Sequence, residues 1–461
     1  MQKQLAIRIA TLLVLIVLLM IPLSMIQGLV SVRQQNQSSV EQTIAASLAG
    51  EQRIGGPILV VPYVERETEI STDERGREIK RVHDRPRQVF FVPEEVSFDV
   101  NAATEERYKG LYKALVYRSQ AKVAVRFHVP ANLGLAANPA TITPGEAWLA
   151  WAVTDVRGLS SSPKIAWNGH TLSSAPGSRF DPVGEGFHTP IGVLDVAKES
   201  KHEVTGTIHV AGTRNLAWVP VGKMNRVTLT SPWPHPNFGG SFLPVSREIG
   251  TNGFTARWEV SHLASKNVSL LMNGLAHNEN QRRQLESFDV SFIEPVNIYL
   301  LAERATKYAI LFIALTFGGF FLFETLRPLR LHPLQYGLVG MALALFFLLL
   351  LSLSEHIAFG WAYATAAASA IALITYYLSH ALKNARAAIG FGVKLSLLYG
   401  VLYALLLSED NALVMGSILL FLVLAVVMPE RNETASDLAR SAGLKAAEAH
   451  YRENQGKGTK Q

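Results

Sequence analysis

The segment 332–359 reads HPLQYGLVGMALALFFLLLLSLSEHIAF, and it decides the class of the protein. Its centre, 335–353, contains no charged residue and is almost entirely apolar. A helix of about 20 apolar residues crosses the roughly 30 Å of hydrocarbon in a bilayer. The segment therefore predicts a membrane-spanning helix that ends in a polar turn at Glu355 and His356.

Similar apolar runs occur on both sides of this segment and towards the start of the chain. The run 9–26 follows Lys3 and Arg8, and no small-residue cleavage site comes after it, which favours an uncleaved anchor over a signal peptide. We predict six transmembrane helices, of which the other five lie at 306–324, 335–353, 357–378, 388–407 and 412–428.

The charges of the connections predict the orientation of these helices. The connection between the second and third spans contains Arg327 and Arg330, and the one between the fourth and fifth contains Lys383 and Arg386. Connections rich in Lys and Arg stay in the cytoplasm. The two turns on the other side have no Lys or Arg, whereas the tail after residue 428 has six. Both termini are therefore predicted to be cytoplasmic, with the long intervening segment outside.

That intervening segment has the pattern of an all-β domain. Short runs of β-branched or alternating residues, bounded by Gly, Pro, Asn or Asp, are typical of a sandwich or barrel. We expect a helix over 35–52, a charged hairpin over 65–87 around residues 75 and 76, and a candidate boundary between two lobes in 135–182. The predicted strands cover 58–61, 88–92, 96–100, 121–129, 204–210 and 226–229.

The predicted fold class is a polytopic α-helical membrane protein with a large inserted, sandwich-like all-β periplasmic domain. Its predicted parts are an N-terminal anchor at 1–30, the β-rich domain at 31–304, a five-helix bundle at 305–428 and a cytoplasmic polar tail at 429–461.

Several classes of function find no support in the residues. The chain has no cysteine, which excludes disulfides, thiolate catalysis and cysteine zinc sites. It contains no GxSxG or HExxH motif and no GxGxxG that opens a helix. Its net charge of +6 is not gathered into a block of like charges. We therefore predict no enzymatic activity, catalytic residue, cofactor, metal site or nucleic-acid partner.

Two turns at the predicted outer membrane face form a candidate polar cluster. Glu355 and His356 follow the third span, and Glu409 and Asp410 follow the fifth. Three carboxylates and an imidazole at one face are suited to binding a cation, relaying a proton or docking the β domain. The alternative is that they are ordinary polar turns at the level of the lipid headgroups.

Two segments of the β domain are candidate partner-facing surfaces. RYKGLY (107–112) contains Arg107, Tyr108 and Lys109, a basic and aromatic set suited to lipid headgroups or an anionic envelope polymer; the alternative is a plain strand with a bulge at Gly110. SPWPHPNFGGSFLP (231–244) contains Trp233 and His235 among alternate prolines, which favour a stiff, extended segment. The alternative there is a connector whose aromatic residues fill the core.

Several long segments resemble one family. GEQRIGGPILVVPY (50–63), TDVRGL (154–159), ERATKYAILFIALTFGGFFLFE (303–324) and LLLSEDNALVMGSILLF (405–421), together with the two segments above and 332–359, are similar to the CreD family of bacterial inner-membrane proteins. The resemblance implies a multi-pass inner-membrane location and a role in envelope integrity and colicin tolerance, under a two-component system linked to the β-lactam response.

The expected partners are membrane lipids and a periplasmic envelope protein or glycan bound by the β domain. The alternative function is a transporter or lipid-handling protein that uses the C-terminal bundle. The residues do not indicate an oligomeric state.

Overall fold

A computed structural model describes residues 2–72, 78–135, 142–272, 285–292, 294, 297–326, 332–381, 385–407 and 417. The chain divides into two compact units, here named the helical unit, Met1–Gln34 with Val296–Gln461, and the β unit, Gln35–Pro295. The predicted span 412–428, the tail 429–461 and the turn at residues 75 and 76 lie outside the described residues, except for Ser417.

The helices follow the apolar runs of the sequence. They are α1 (Gln2–Ser47), α2 (Asn267–Met272), α3 (Ile298–Leu326), α4 (Pro333–Ser354), α5 (Phe359–Ala381) and α6 (Ala385–Leu407). Four helices in the described part of the chain are long and apolar enough to cross a membrane: α1 from Ala10 onward, α4, α5 and α6 from Ala388 onward. The predicted span 306–324 lies within α3, whose first three turns also contain Glu303, Arg304 and Lys307.

Helix α5 packs between α4 and α6. Ala362, Ala366 and Ala370 recur at every fourth residue on one side of α5, and all three are buried. Small side chains at this spacing let two helices approach closely. This close packing stabilises helix association in a bilayer, where the hydrophobic effect does not drive it. The Tyr363 hydroxyl donates a hydrogen bond of 2.7 Å to the main-chain carbonyl of Tyr399, which joins α5 to α6.

The β unit consists of two sheets. The first sheet has the order β14-β17-β12-β1-β6-β10-β9, with β2 and β5 also paired to β1. The second has the order β15-β16-β13-β3-β4-β11-β7-β8. The strands of the first sheet are β1 (Gln52–Thr72), β2 (Glu78–Phe91), β5 (Ile142–Pro144), β6 (Glu146–Val153), β9 (Ala175–Pro176), β10 (Gly186–Val193), β12 (Asn215–Val219), β14 (Pro236–Gly240) and β17 (Phe288–Phe292). Those of the second are β3 (Glu95–Lys109), β4 (Tyr112–Val129), β7 (Lys164–Trp167), β8 (His170–Leu172), β11 (Ser200–Thr213), β13 (Met224–Ser231), β15 (Ser246–Gly250) and β16 (Gly253–Ser261).

The alternation of apolar and polar residues in the sequence explains the burial pattern of the second sheet. Along β4, Ala121, Val123, Val125, Phe127 and Val129 are buried and the residues between them are more exposed. Period-two burial is expected of a sheet with one face on the core and one in solvent. The runs predicted as strands all lie on strands, or within one residue of one, which confirms the all-β prediction for this part of the chain.

The first sheet is apolar on both faces. Ile58, Leu59, Val60 and Val61 are consecutive in β1 and fully buried. Leu59 and Val61 belong to the core between the sheets, whereas Ile58 and Val60 belong to a smaller cluster with Trp148, Phe180 and Leu271 on the other face. A continuous apolar run is typical of a strand covered on both sides.

Two local expectations differ from the structure. The sequence predicts a helix over 35–52, but α1 ends at Ser47 and β1 begins at Gln52, so that Gly55 and Gly56 lie within the strand. A Cβ on Gly55 would lie 3.4 Å from the Cβ atoms of Ala152 and Val219 on the neighbouring strands. The stretch 135–182, a candidate lobe boundary, contributes strands to both sheets and so links the two layers.

Candidate functional site

A buried ion pair lies at one end of the helical unit. The Nε atom of Arg33, in α1, lies 3.4 Å from Oε1 of Glu355 in the turn between α4 and α5. The hydroxyl of Tyr299, in the first turn of α3, donates a hydrogen bond of 3.4 Å to the same oxygen. The Glu355 side chain is only 7% exposed, whereas that of Arg33 is 35% exposed. Residues of α1, α3 and the α4–α5 turn thus meet at the Glu355 carboxylate. The contact between Arg33 and Glu355, together with the hydrogen bond from Tyr299, is here named the outer ion pair with Tyr299.

The burial of Glu355 explains why it needs these partners. Removing a carboxylate from water is costly unless charged and hydrogen-bonding groups compensate it. The guanidinium of Arg33 supplies the opposite charge and Tyr299 supplies a donor. An arginine suits this position because its planar guanidinium remains protonated in proteins.

The structure describes half of the predicted outer cluster. His356 is exposed, and its Nδ1 lies 3.1 Å from the carbonyl of Ser352 in its own chain segment. Glu409 and Asp410 lie outside the described residues. Within the described ranges, no three His, Asp or Glu side chains are placed to hold a metal ion. The sequence pattern marks Glu355 but gives no indication that Arg33 and Tyr299 are its partners.

A second polar cluster lies within the β unit, where it joins the end of α1 to the first strand, and is here named the helix–strand joint. The Asp155 carboxylate accepts hydrogen bonds from the main-chain N–H of Gly50 at 3.0 Å and from that of Arg157 at 3.1 Å. It also accepts two hydrogen bonds from the Arg157 guanidinium, at 2.9 and 2.6 Å. The same guanidinium donates to the carbonyl of Ala46, in the last turn of α1, at 2.6 Å. A cation near the carbonyl end of a helix is also favoured by the helix dipole.

Gln52 completes the joint from the first residue of β1. Its side-chain amide donates to the carbonyls of Asp155 at 2.9 Å and Ala211 at 3.1 Å, and it is 1% exposed. Gly158 lies against it, since a Cβ there would be 2.2 Å from Gln52 Nε2 and 2.3 Å from the Ala211 carbonyl oxygen. The joint therefore requires a glycine at 158.

The electrostatics of the joint favour an ionised Asp155. Its hydrogen bonds from the Arg157 side chain, helped by those from the Gly50 and Arg157 main chain, lower the pKa of Asp155 to about 2 against the opposing effect of burial. The sequence marks TDVRGL (154–159) only through its resemblance to the family. Its Asp-x-Arg-Gly spacing, with Asp155 as the N-cap of a short 3-10 turn at Val156–Gly158, is the signal that marks the joint.

RYKGLY forms the tip of the β3–β4 hairpin. Lys109 pairs with Tyr112, so Gly110 and Leu111 are the two residues of a tight turn and not a strand with a bulge. Gly110 has a φ of +64°, which favours glycine. Arg107, Tyr108 and Lys109 are exposed on the strand that leads to this turn.

Trp233 and His235 lie before β14 and form an edge-to-face pair with ring centroids 6.1 Å apart. Trp233 is half-buried and packs against the core, and its indole N–H donates to the carbonyl of His235 at 3.1 Å. His235 is exposed. Phe238 reaches further in and contacts Phe254 and Trp258 edge-on, which agrees with the alternative that this segment contributes aromatic residues to the core.

The outer face of the second sheet carries charges of both signs. Two adjacent concavities of about 680 and 540 Å³ share Arg226. Arg126 and Arg226 both pair with Glu95. We name this surface the charged face; its other charged lining residues are Glu94, Asp99, Lys122, Lys201, Glu203, Arg257 and Glu259. The exposed positions of β3, β4, β11, β13 and β16 thus form one continuous polar surface.

The joint leads to a prediction for Asp155→Asn. Because the folded-state pKa is below the unfolded value, the ionised carboxylate stabilises the fold above about pH 4, and this stabilisation disappears as the pH falls through 2. At pH 7 the substitution should lower the free energy of unfolding by about 1.5–3 kcal/mol, which is the range for hydrogen bonds to a charged group. The difference from the unsubstituted chain should shrink steadily from pH 4 to pH 2.

The measurement is denaturant unfolding of the detergent-solubilised chain at several pH values. Glu248→Gln, at an exposed position of β15, is the matched control and should change the free energy by less than about 0.5 kcal/mol. An Asp155→Asn effect that is equal at pH 2 and pH 7 would contradict the role assigned to the carboxylate.

Comparison with known proteins supports the resemblance seen in the sequence. The family model described as "Inner membrane protein CreD" matches residues 4–431. The "Inner membrane protein CreD" of Escherichia coli (strain K12) is 37% identical over 415 residues, which cover 90% of this chain and 89% of that protein.

Solved structures are similar only at a low level. An M1 zinc metallopeptidase from Deinococcus radiodurans is 9% identical with a TM-score of 0.21, and the match covers 44% of this chain and 42% of that one. A putative nutrient binding protein from Legionella pneumophila is 6% identical with a TM-score of 0.24, over 49% of this chain and 77% of that one. Likenesses this low carry no argument about function, whereas the family match extends over most of the sequence: the chain belongs to the CreD family of inner membrane proteins.

Proposed function

We propose that this protein spans the inner membrane six times with both termini in the cytoplasm, and that it holds its β unit in the periplasm. There the β unit supports envelope integrity by binding an envelope component, without catalysing a reaction. The observation that carries the proposal is the outer ion pair with Tyr299.

The outer ion pair defines one end of the helical unit. Arg33 lies next to the point where the chain enters the β unit, and Tyr299 lies just after the point where it returns. Both contact Glu355, in the turn between α4 and α5. The entry to the β unit, the return from it and this acidic turn therefore belong to the same end of the helices.

The charges of the other connections indicate which end faces the cytoplasm. Successive spanning helices alternate in direction, so the connections after α3 and after α5 belong to the end opposite Glu355. Arg327, Arg330 and Lys383 belong to these connections in the sequence, and Arg386 lies in the first turn of α6 at the same end. Because Lys and Arg are retained in the cytoplasm, the end with Glu355 and the β unit is assigned to the periplasm.

A binding role for the β unit agrees with the character of its charged face. Charged groups of both signs on an open surface select partners by complementary charge and speed their encounter. Lys122 and Arg257 line the smaller concavity and Lys201 lines the larger one, and none of the three has an ion pair among the residues that the structure describes. They are the cations of this face best placed to contact an anionic or polar envelope component.

The proposed orientation predicts the labelling of single cysteines, which the cysteine-free chain makes unambiguous. Leu263→Cys, at a side chain of the β unit that is 87% exposed, and His356→Cys should react with a membrane-impermeant maleimide in spheroplasts. Arg386→Cys should react only after the membrane is permeabilised. Reaction of Arg386→Cys in sealed spheroplasts would overturn the orientation.

The proposed binding role predicts that the charged face is needed for envelope protection. The double variant Lys122→Glu/Arg257→Glu should fail to restore growth under envelope stress in a host lacking its own copy. Its abundance in the membrane should be normal, because both side chains lie on a solvated face. Arg247→Glu, on the exposed strand β15, is the control and should restore growth. Full protection by the double variant would exclude the charged face as the binding surface.

A further inference from the structure

The register of the second sheet places the outward-facing side chains of the charged face in rows across the strands. Thr228 of β13 is directly opposite Arg257 of β16 on one side and Asp99 of β3 on the other. Asp99 is in turn opposite Lys122 of β4, and the same line continues through β11 to β7. We name this line the charged row; from β16 to β7 it consists of Arg257, Thr228, Asp99, Lys122, Thr207 and Lys164.

A second row lies two residues away along the same strands and is made of hydroxyl, amide and imidazole groups. The hydroxyl oxygens of Thr230 and Thr255, on β13 and β16, lie 3.3 Å apart, within hydrogen-bonding distance. We name this line the amide–hydroxyl row; from β16 to β11 it consists of Thr255, Thr230, Asn101, Gln120 and His209. Neighbouring strands are about 4.8 Å apart, so the two rows form a strip about 24 Å long across the sheet.

The cations of the charged row are available to a ligand. Arg257, Lys122 and Lys164 are exposed, and within the described part of the chain none of them forms an ion pair. Lys122 is two strands from Lys164 and three strands from Arg257, so their backbone positions are about 10 and about 14 Å apart. The three charges are therefore spread along a line and do not converge on one point. This arrangement suits an extended chain that carries acidic groups at intervals.

The groups between these cations restrict the chemistry of such a chain. Asp99 lies next to Lys122 in the charged row, so a polymer with an acidic group at every position would bring a like charge against it. A hydroxyl group of the ligand could instead donate a hydrogen bond to this carboxylate. The side-chain amides of Asn101 and Gln120 in the neighbouring row both donate and accept hydrogen bonds, as hydroxyl and acetamido groups of a ligand require.

We infer that the partner of the charged face is a linear, hydroxyl-rich glycan with spaced acidic groups, which lies along the two rows. Its acidic groups contact Arg257, Lys122 and Lys164, and its hydroxyl and amide groups exchange hydrogen bonds with the amide–hydroxyl row. The inference rests on the proposed function, because it names the chemistry of the component that the charged face binds.

The composition of the two rows favours a glycan over a protein or a lipid. Neither row contains a large apolar side chain. Protein interfaces concentrate their binding energy in a few buried aromatic, apolar or arginine anchors seated in well-packed pockets. Lipid chains require apolar surface. A strip of hydroxyl, amide and spaced charged groups on an open sheet face matches the polar groups of a glycan instead.

The experiment is calorimetric titration of the purified full chain in a nonionic detergent at low salt. Three probes are compared: a hexasaccharide of alternating glucuronate and N-acetylglucosamine, the uncharged hexamer of N-acetylglucosamine, and hexaglutamate. The charged row is tested by Lys122→Gln/Lys164→Gln and the amide–hydroxyl row by Asn101→Ala/Gln120→Ala. The matched control is Lys198→Gln/Arg247→Gln, which removes the same two charges at exposed positions outside both rows.

The acidic hexasaccharide should bind about tenfold more tightly than either the uncharged hexamer or hexaglutamate, because only it satisfies both rows. Its Kd should rise about tenfold in the charged-row variant and about fivefold in the amide–hydroxyl variant, as expected for the loss of two hydrogen-bonding groups in each. The matched control should change the Kd by less than about twofold.

Equal Kd values for the acidic hexasaccharide and hexaglutamate would overturn the inference, because charge alone would then account for the binding. An equal loss of affinity in the charged-row variant and the matched control would overturn it as well. Failure of the proposed function gives a different pattern. If the hexasaccharide binds at the two rows but Lys122→Glu/Arg257→Glu still restores growth, the proposed function fails. If that variant does not restore growth and the unsubstituted chain does not bind the hexasaccharide, only the glycan is excluded.

Discussion

The ion pair between Arg33 and Glu355 is the contact on which the arrangement of the helices in the helical unit depends. A carboxylate that is 7% exposed is tolerated beside apolar helices only because a guanidinium and the Tyr299 hydroxyl compensate for its lost hydration. Arg33 precedes the inserted β unit, whereas Tyr299 and Glu355 follow it, and Arg33 and Glu355 are more than 300 residues apart along the chain. One buried charge thus fixes which ends of α1, α3 and α4 lie together, and the proposed orientation follows from that arrangement.

A second arginine performs a comparable role within the β unit. Arg157 joins the last turn of α1, through the Ala46 carbonyl, to Asp155 and hence to the first strand. Within the helical unit α1 makes its contact through Arg33, and within the β unit its last turn accepts a hydrogen bond from Arg157.

Much of the fold was predictable because local patterns dictate it. The uncharged run 335–353 predicts α4, and the alternation around Val123 and Val125 predicts β4. The parallel pairs β1–β12 and β3–β13 were not predicted, because they join strands more than 100 residues apart and leave no local signal. For the same reason the sequence located Glu355 in a polar turn but not its partner Arg33. The helix–strand joint differs from the ion pair, because Asp155, Arg157 and Gly158 lie close together in the sequence and their spacing is visible there. Their contact with the Ala46 carbonyl, however, depends on where α1 ends.

The most direct test of the account is a double-mutant cycle on the outer ion pair, measured as the free energy of unfolding of the full chain in mixed micelles. Arg33→Gln leaves a buried carboxylate without its cation and should destabilise the chain by about 3–5 kcal/mol, with a smaller effect for Glu355→Gln. The double variant should be less destabilised than the sum of the two, by at least about 1 kcal/mol. Effects that add to within about 0.5 kcal/mol would show that Arg33 and Glu355 do not interact, and would remove the constraint from which the orientation is inferred.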